Sequence, residues 1–488
     1  MPGVTPLHIP GHKMGSDAIH AIRKIIGSEA LQHDMTELEG LDILSTPTGC
    51  IKAAQDLAAA AFGAEATWFL VNGSTVGIQA AIMACSGPSD VLIIARNCHM
   101  SAFSGMVLSG CKPLWVAGVW NNTFGVVESI STASLRAAFT EARSHGLKAS
   151  AALLVSPTYY GTCSNVQELA KVCHEHGVPL IVDEAHGPHF AFHGSFPQAA
   201  LAQGADVVIQ STHKTLSALT QSSMLHVQGS LVQRSRISSA LEILQSSSPS
   251  YLLMASLDAA RATAAAPGAF DEALAASHHL HSHLPNIPGL QILSPHHLHQ
   301  PAGVGVDPLR VTVRVRDLDI TGYFASEWLE DNHAVVPELA TDQLVVLALG
   351  IGNAASAQSM HEAATQSFTA QPSGNCSDNA ADSCTIPRVA TSQNGNEALE
   401  VKTLSAMCDG MSPRNAAMAL TQRVETGDAA GRISAELLCP YPPGIPLVFP
   451  GERISPQNIH ALQTVLAHNG RIRGAADPQL REIQVVVE

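Results

Sequence analysis

The sequence contains few charged residues and few aromatic ones, and both shortages narrow the classes of protein that it can represent. Charged side chains make up 14% of the 488 residues and aromatic ones 4%, whereas 46% are hydrophobic. This composition indicates a globular protein with a large core and excludes a disordered chain. Lysine and arginine number 26 against 41 acidic residues, and no basic run occurs, so we do not expect a nucleic-acid partner.

Long apolar runs and paired cysteines are also missing. No apolar run approaches the roughly 18 residues that cross a bilayer, and the first residues lack the apolar stretch of a signal peptide. The ten cysteines are scattered without a C-x-x-C pair, which predicts reduced thiols. We expect a soluble, cytoplasmic protein with no membrane partner. The first residues, "MPGVTPLHIPGHKMG", already belong to a motif-like segment. Location in an organelle therefore remains an alternative if an upstream targeting segment is missing.

Short apolar strands alternate with helical stretches from about Leu41 to Leu231. This order predicts an α/β fold with a mostly parallel sheet covered on both faces. Polar residues follow the strands directly, at the sheet edge where open α/β sheets bind ligands. The strand segments are "TWFLVNG", "DVLIIARN", "ALLVSPTYYG", "VPLIVDEAHG" and "DVVIQSTHK".

The remaining chain suggests two further regions. Residues 1–40 form an N-terminal segment, residues 41–266 the large domain, and residues 267–488 a smaller α+β C-terminal domain. The predicted helix Ser250–Ala266 ends before Pro267, which marks the boundary. Between about 370 and 400 the chain is rich in Ser, Asn, Gly and Ala, and we predict a disordered or loosely held insertion there.

A carboxylate and an amine follow two of these strands, 31 positions apart. Asp183 ends "LIVD" and Lys214 follows "VVIQSTH". A pyridoxal phosphate site needs this pair, because the lysine binds the aldehyde and the carboxylate keeps the pyridine nitrogen protonated. Taken singly, Asp183 is as well explained as a helix cap and Lys214 as a solvated charge.

Two further segments supply the other parts of such a site. In "FLVNGSTVGIQAA", a strand, a tight turn and a helix follow one another, so free N–H groups with Ser74 and Thr75 can hold a phosphate. An ordinary capped turn has the same pattern. His99 follows another strand, where its ring can lie over an aromatic ring or serve as a cap or core residue.

The ordered motifs resemble the ornithine/lysine/arginine decarboxylase family of fold-type I pyridoxal phosphate enzymes. The likeness runs from "PLHIPGHKMG" through "LVNGST", "RNCHMS", "SPTYYG", "VDEAHG", "STHKTLSALTQSSMLH" and "SSSPSYLLMASLDAAR" to "CPYPPGIPLVFPGE". It implies an aspartate-aminotransferase-like large domain. The N-terminal wing of the large inducible members is absent before the P-G-H-K motif, so the chain looks like the short biosynthetic-type branch.

The resemblance also implies roles for individual residues. Lys214 is the Schiff-base lysine, Asp183 the partner of the pyridine nitrogen, and His99 the ring-stacking residue. Ser247 or Ser248 reaches the neighbouring subunit's phosphate, so at least a homodimer is expected. The residues expected to hold the phosphate are Gly73, Ser74, Thr75, Ser211 and His213.

The expected reaction is decarboxylation of a basic amino acid to a polyamine-pathway amine, with arginine favoured over lysine and ornithine. Lys214 or His213 is the expected donor of the proton that replaces carbon dioxide. Glu452 follows a proline-rich segment that by resemblance lies near the site, and we expect its carboxylate to bind the distal cationic group of the substrate. The alternative role of Glu452 is to cap the next helix. In that case Asp307 and Glu338 are the next candidates for binding the distal cationic group of the substrate.

Three other functions remain open at this point. An aminotransferase or β-eliminating lyase would share the lysine and aspartate, but it would normally need an arginine for the substrate carboxylate, and the motifs offer no obvious candidate. A silent regulatory paralogue is disfavoured because Lys214, Asp183 and His99 are present. The histidine-rich segments "SHHLHSHL" and "PHHLHQ" match no closed zinc site, so we predict no metal.

Overall fold

The structure is a computed structural model, and it describes residues 5–16, 19–299, 305–352, 362, 410–441, 445–467 and 470–488. The predicted insertion at about 370–400 lies outside these residues. Within them, no helix is long and apolar enough to cross a membrane. The cysteines in these ranges are free thiols.

Strands and helices alternate through the first half of the chain, as the hydrophobic pattern predicts. The strands are β1 (Ala66–Leu70), β2 (Val91–Ala95), β3 (Lys112–Val116), β4 (Gly118–Asn121), β5 (Val126–Ile130), β6 (Ala149–Val155), β7 (Thr162–Cys163), β8 (Leu180–Asp183), β9 (Val207–Gln210), β10 (Ser223–Val227), β11 (Gln291–Ile292), β12 (Gly305–Val306), β13 (Arg310–Arg314), β14 (Leu339–Ala340), β15 (Leu344–Ala348), β16 (Thr421–Glu425), β17 (Cys439–Tyr441), β18 (Arg471–Arg473) and β19 (Glu482–Val486). The helices are α1 (His20–Ile26), α2 (Ser28–His33), α3 (Cys50–Phe62), α4 (Gly73–Cys85), α5 (Met100–Ser109), α6 (Thr132–Ser144), α7 (Val166–Glu175), α8 (Thr212–Thr215), α9 (Arg234–Leu244), α10 (Tyr251–Ala264), α11 (Asp271–His283), α12 (Gly322–His333), α13 (Pro413–Met418) and α14 (Pro456–Ala467).

Seven strands form the central sheet in the order β1-β10-β9-β8-β6-β2-β3. The five strands from β9 to β3 run parallel, and β10 runs antiparallel to both of its neighbours. The predicted mostly parallel sheet is therefore confirmed, and each predicted strand segment overlaps one of its strands. Strands β3 and β10 were not predicted; the sequence of β10 directly follows the polar stretch after Lys214.

The sheet is buried on both faces, which explains why its strands are continuous apolar runs. Every residue of β2 is buried. Ile94 packs into a core cluster with α4, α5 and α9, and Ile93 packs into a second cluster on the opposite face. That second cluster also contains Phe270 and Val311, so the chain just beyond residue 266 packs on the sheet. The boundary predicted at 266 remains a prediction.

The later part of the chain has the expected α+β character. Strands β11, β13, β15 and β14 form a four-stranded antiparallel sheet in that order. Two small pairs follow, β16 with β19 and β17 with β18, both antiparallel. Leu438, Val448, Leu462 and Ile483 belong to a separate core cluster in this region. These elements complete the surroundings of the sheet edge.

Candidate active site

The carboxyl ends of β1, β2, β6, β8 and β9 lie at one edge of the central sheet, since these strands point in the same direction. Four of these strands are followed, within four residues, by a residue that the site uses, and β8 ends in one. In chain order these residues are Gly73, His99, Tyr159, Asp183 and Lys214. Parallel strands bring such residues close together in space even though they lie far apart in the sequence. The polar edge that the sequence predicts is therefore present.

Lys214 lies in the four-residue helix α8, which directly follows β9. The residue as a whole is exposed, but its Nζ lies 3.0 Å from Nε2 of the buried His186, so the loss of solvation concerns the amine end. Burial lowers the pKa of Lys214, Asp183 opposes this change, and Arg310 adds to it. The amine is therefore more easily deprotonated than that of an ordinary surface lysine.

Asp183 is the last residue of β8 and is 6% exposed. Its Oδ1 accepts a hydrogen bond from the N–H of Ala185. Burial raises the pKa of Asp183, and the charge of Lys214 lowers it in part. A buried carboxylate with so few donors is stabilised by a cationic N–H, and a protonated pyridine nitrogen has this property.

Helix α4 begins at the same edge with an open N-terminus. Asn72 at its N-cap makes no side-chain capping bond, Gly73 has a positive φ of 73°, and a Cβ at Gly73 would meet nothing within 4 Å. The hydroxyl of Ser211 donates to Ser74 Oγ at 2.8 Å, and Thr75 is exposed. Free N–H groups and hydroxyls at a helix N-terminus bind anions, so this segment fits a phosphate.

His99 caps helix α5, where its Nδ1 accepts from the N–H of Ser101 at 3.2 Å. Burial lowers the pKa of His99 to about 4, with smaller contributions from the charges of Lys214 and Arg473. The ring is therefore neutral at physiological pH. A neutral ring can stack on a positively charged pyridine without the repulsion that an imidazolium would cause.

The other predicted residues have different surroundings. His213 lies beside Lys214, and its Nδ1 is 2.9 Å from the carbonyl oxygen of Ser222. Ser247 and Ser248 are exposed in the segment between α9 and α10. The predicted contact of Ser247 or Ser248 with a neighbouring subunit's phosphate stays a prediction.

Glu452 is bound to another side chain in this structure. Its Oε2 lies 3.1 Å from Arg96 Nη2 and accepts from the N–H of Phe449 at 2.9 Å. Helix α14 is capped by Ser455, whose Oγ accepts from the N–H of Asn458, so the alternative role of Glu452 as the cap is wrong. Its predicted contact with the substrate stays a prediction.

Three residues beside Lys214 were not assigned from the sequence. His186 follows Asp183 by three positions, and Tyr159 faces it with ring centroids 4.9 Å apart. Arg310 begins β13 and its Nη2 lies 2.6 Å from His186 Nδ1. Position after a strand, the signal that identified Asp183, also applies to His186 and Tyr159. Arg310 has no such signal, because it comes from a strand in a different sheet.

The turn of "SPTYYG" brings Arg310 to the site. Gly161 has a positive φ of 88°, and a Cβ there would lie 2.9 Å from Arg310 Cβ. The carbonyl of Gly161 accepts from the N–H of Asp307 at 2.8 Å, and the hydroxyl of Thr312 donates to the carbonyl of Tyr160 at 2.9 Å. Only glycine permits this close approach, which fixes Arg310 against the sheet edge.

The histidine-rich segments lie apart from these contacts. His281 is hydrogen-bonded to Ser277 within helix α11, and His297 is bonded to Ser294. Among the described residues, no group of three or more histidine, cysteine, aspartate or glutamate side chains is arranged to hold a metal ion. That the protein binds no metal ion stays a prediction.

Comparison with known proteins agrees with this geometry. The sequence model of a family described as Orn/Lys/Arg decarboxylase, major domain, matches residues 3–357, and the model of that family's C-terminal domain matches residues 397–471. The chain belongs to the Orn/Lys/Arg decarboxylase family. It is 35% identical over 485 residues to a protein of Bacillus subtilis named arginine decarboxylase, covering 99% of this chain and 94% of that protein.

Solved structures show the same fold. The lysine decarboxylase LdcF of Francisella novicida matches with a TM-score of 0.80 at 19% identity, covering 99% of this chain and 79% of that one. An alanine–glyoxylate aminotransferase from Nostoc matches with a TM-score of 0.51 at 18% identity over 65% of this chain and 85% of that one. The predicted fold-type I architecture is thus confirmed. As a member of the decarboxylase family, the protein is an enzyme whose described residues fit the parts of pyridoxal phosphate.

Proposed function

We propose that this decarboxylase uses pyridoxal 5'-phosphate to remove carbon dioxide from a basic amino acid, with arginine favoured over lysine and ornithine, and forms a polyamine-pathway amine. One observation carries the proposal: Asp183, Lys214 and the open N-terminus of α4 occupy the same sheet edge. These groups fit the three polar parts of that cofactor, namely ring nitrogen, aldehyde and phosphate. The arginine decarboxylase named in Bacillus subtilis supports the choice of substrate.

The side chains at the sheet edge have separate tasks in this proposal. Lys214 would bind the cofactor aldehyde, Asp183 would keep the ring nitrogen protonated, and the imidazole of His99 would supply the stacking surface for the ring. Gly73, Ser74, Thr75 and Ser211 hold the phosphate at the start of α4. When bound, the cofactor supplies an acceptor for the electrons that carbon dioxide leaves on the α-carbon.

The proton that replaces carbon dioxide is better supplied by Lys214 than by His213. A backbone carbonyl is an acceptor only, so the Nδ1 of His213, which lies 2.9 Å from the carbonyl oxygen of Ser222, carries the ring proton. Burial also lowers the pKa of His213, so its Nε2 has no proton to donate at neutral pH. We assign His213 to cofactor binding and orientation of the loop, and Lys214 to proton transfer.

The proposal includes a homodimer or a larger homo-oligomer that works in the cytoplasm. Ser248 is exposed, as a residue that reaches a neighbouring subunit's phosphate must be. Sedimentation of the purified protein tests the assembly. Ser248→Ala should weaken cofactor binding in a dimer, and an active monomer would contradict this part.

The reaction is tested by incubating the purified protein and pyridoxal phosphate with arginine, lysine or ornithine and measuring carbon dioxide and amine. We expect release from arginine at the highest kcat/KM. Equal or higher values for lysine or ornithine would contradict the substrate preference. No release from any of the three would contradict the reaction.

One observation favours a second function, amino-group transfer. The structure places Arg310 beside His186, next to Lys214, with Nη1 buried and without a hydrogen-bond partner. A guanidinium can hold the carboxylate of an amino acid and so prevent its loss. Formation of a 2-oxo acid from the same substrates, without carbon dioxide, would establish this alternative.

A further inference from the structure

Arg310, His186 and Lys214 form a chain of hydrogen bonds at the sheet edge. Arg310 Nη2 lies 2.6 Å from His186 Nδ1, and His186 Nε2 lies 3.0 Å from Lys214 Nζ. Arg310 is 2% exposed and His186 is 3% exposed. The histidine is therefore held between two basic side chains, with its two nitrogens in different roles.

The arginine decides which nitrogen of His186 carries the proton. A guanidinium has donors only and stays charged in proteins, so Nδ1 must accept with its lone pair. Burial, with a smaller contribution from the positive charge of Arg310, lowers the pKa of His186 well below its ordinary value. A neutral imidazole whose Nδ1 accepts carries its one proton on Nε2.

That proton faces the amine of Lys214. An ammonium group has three N–H donors and no lone pair, so it cannot accept from Nε2–H, whereas an uncharged amine can. We propose that Arg310 and His186 are positioning residues that fix the histidine tautomer and thereby hold Lys214 as the uncharged amine in the cofactor-free enzyme. This form has the lone pair that forms the C–N bond with an aldehyde, whose oxygen leaves as water. The inference rests on the proposed function only for the identity of that aldehyde.

Other charges near Lys214 act in both directions. Asp183 and Glu338 favour the ammonium form, and Arg310 disfavours it. The neutral rings of His99 and His213 add no charge at physiological pH. The Tyr159 ring lies 5.9 Å from Nζ and favours the ammonium form weakly. Since these influences oppose one another, the direct contact with His186 is the feature that distinguishes the amine.

The test measures the amine without any catalysis. The full chain, freed of cofactor with hydroxylamine, is methylated with formaldehyde and cyanoborohydride across a pH series, and the Lys214 peptide is quantified by mass spectrometry. Wild type, Arg310→Met, His186→Phe and the double variant form a cycle. We expect Arg310→Met to raise the midpoint of Lys214 labelling by about one pH unit when His186 is present, since the ring can then accept from an ammonium. With Phe at position 186, the same change should have less than about a third of that effect.

Equal shifts in both backgrounds would overturn the proposal, because the charge of Arg310 would then act without the histidine. So would the absence of a shift when His186 is present. A neutron diffraction structure of the cofactor-free wild type gives an answer that no folding defect affects. It should show deuterium on His186 Nε2 and two deuterons on Lys214 Nζ; deuterium on Nδ1 or a third deuteron on Nζ would refute the proposal. Neither measurement depends on carbon dioxide release, so a failure of the proposed function is seen separately.

Discussion

The two sides of the candidate site are built in different ways. At the sheet edge, Asp183, His99 and Lys214 each follow a parallel strand within a few residues. On the C-terminal side, side chains arrive through contacts between distant parts of the chain, such as the ion pair of Arg96 with Glu452 and the effect of Arg473 on His99. The residues proposed to hold the cofactor therefore lie in short motifs, whereas the C-terminal side of the candidate site depends on long-range packing.

Lys214→Ala should have the largest effect and test the sheet edge most directly. No other amine is placed beside Asp183 in the described residues, so the cofactor loses its covalent attachment. We expect kcat to fall at least about a thousandfold, or about 4 kcal/mol. Activity is measured as carbon dioxide release, and borohydride reduction followed by peptide mapping locates the attachment in wild type.

Lys52→Ala is the matched control, because Lys52 is an exposed lysine paired with Asp56 on helix α3. Its removal should leave activity and cofactor content unchanged. If borohydride reduction fixes the cofactor on Lys52, or on any lysine other than Lys214, the sheet edge is not the cofactor site.

Asp183→Asn should reduce activity by several kcal/mol of transition-state stabilisation while cofactor remains bound. An amide cannot keep the ring nitrogen protonated as a carboxylate does. Asp206→Asn is the control, since Asp206 is also buried but accepts from the N–H of Leu180 and contacts His174 instead. This control should lower the melting temperature and leave kcat nearly unchanged; wild-type turnover in Asp183→Asn would mean that another group protonates the ring.

These two variants also show which parts of the molecule can be predicted from the sequence. Periodic apolar segments predict the central sheet, and the direction of its strands then brings Asp183 and Lys214 together. Arg310 could not be predicted, because its place depends on the packing of β13 against the turn at Gly161. The contact between Arg96 and Glu452 spans 356 positions, and no local pattern encodes it.

His99 allows the ring-stacking role to be separated from a role in proton transfer. His99→Phe should keep most of the activity because an aromatic ring remains, whereas His99→Ala should lose about tenfold in cofactor affinity, the scale of one aromatic contact. Fluorescence titration with pyridoxal phosphate measures this difference. Equal losses in both variants would indicate that the ring nitrogens matter instead.

The same residue predicts a pH dependence of stability. The pKa of His99 is lowered to about 4, mainly by burial, so the unfolded chain binds its proton at a higher pH than the folded one. The stabilisation is present above the ordinary pKa of about 6.5 and is lost as the pH falls toward 4. In His99→Phe, the free energy of unfolding should fall less between these two pH values; an unchanged slope would contradict the burial of a neutral ring.

Glu338→Gln should have a smaller effect and concern the substrate alone. Its carboxylate is exposed, lies 3.7 Å from Arg310 and acts on the pKa of Lys214, so it can approach a cationic substrate. We expect KM for arginine to rise about tenfold with little change in kcat, as for one charge-assisted hydrogen bond. Glu330→Gln, an exposed position on helix α12, is the control and should leave KM unchanged.

Glu452→Gln should have the smallest effect of all. The ion pair with Arg96 already compensates its charge, and Arg96 is also held by the carbonyls of Pro446 and Leu447 and lies over the Trp115 ring. A glutamine oxygen can still accept from the N–H of Phe449, so the segment should keep its course. We therefore expect KM to rise by no more than about threefold, or about 0.6 kcal/mol, measured beside Glu338→Gln under identical conditions. If KM rises more at position 452 than at 338, then the substrate's distal group binds Glu452, as the sequence predicts, and Arg96 must release it when substrate enters.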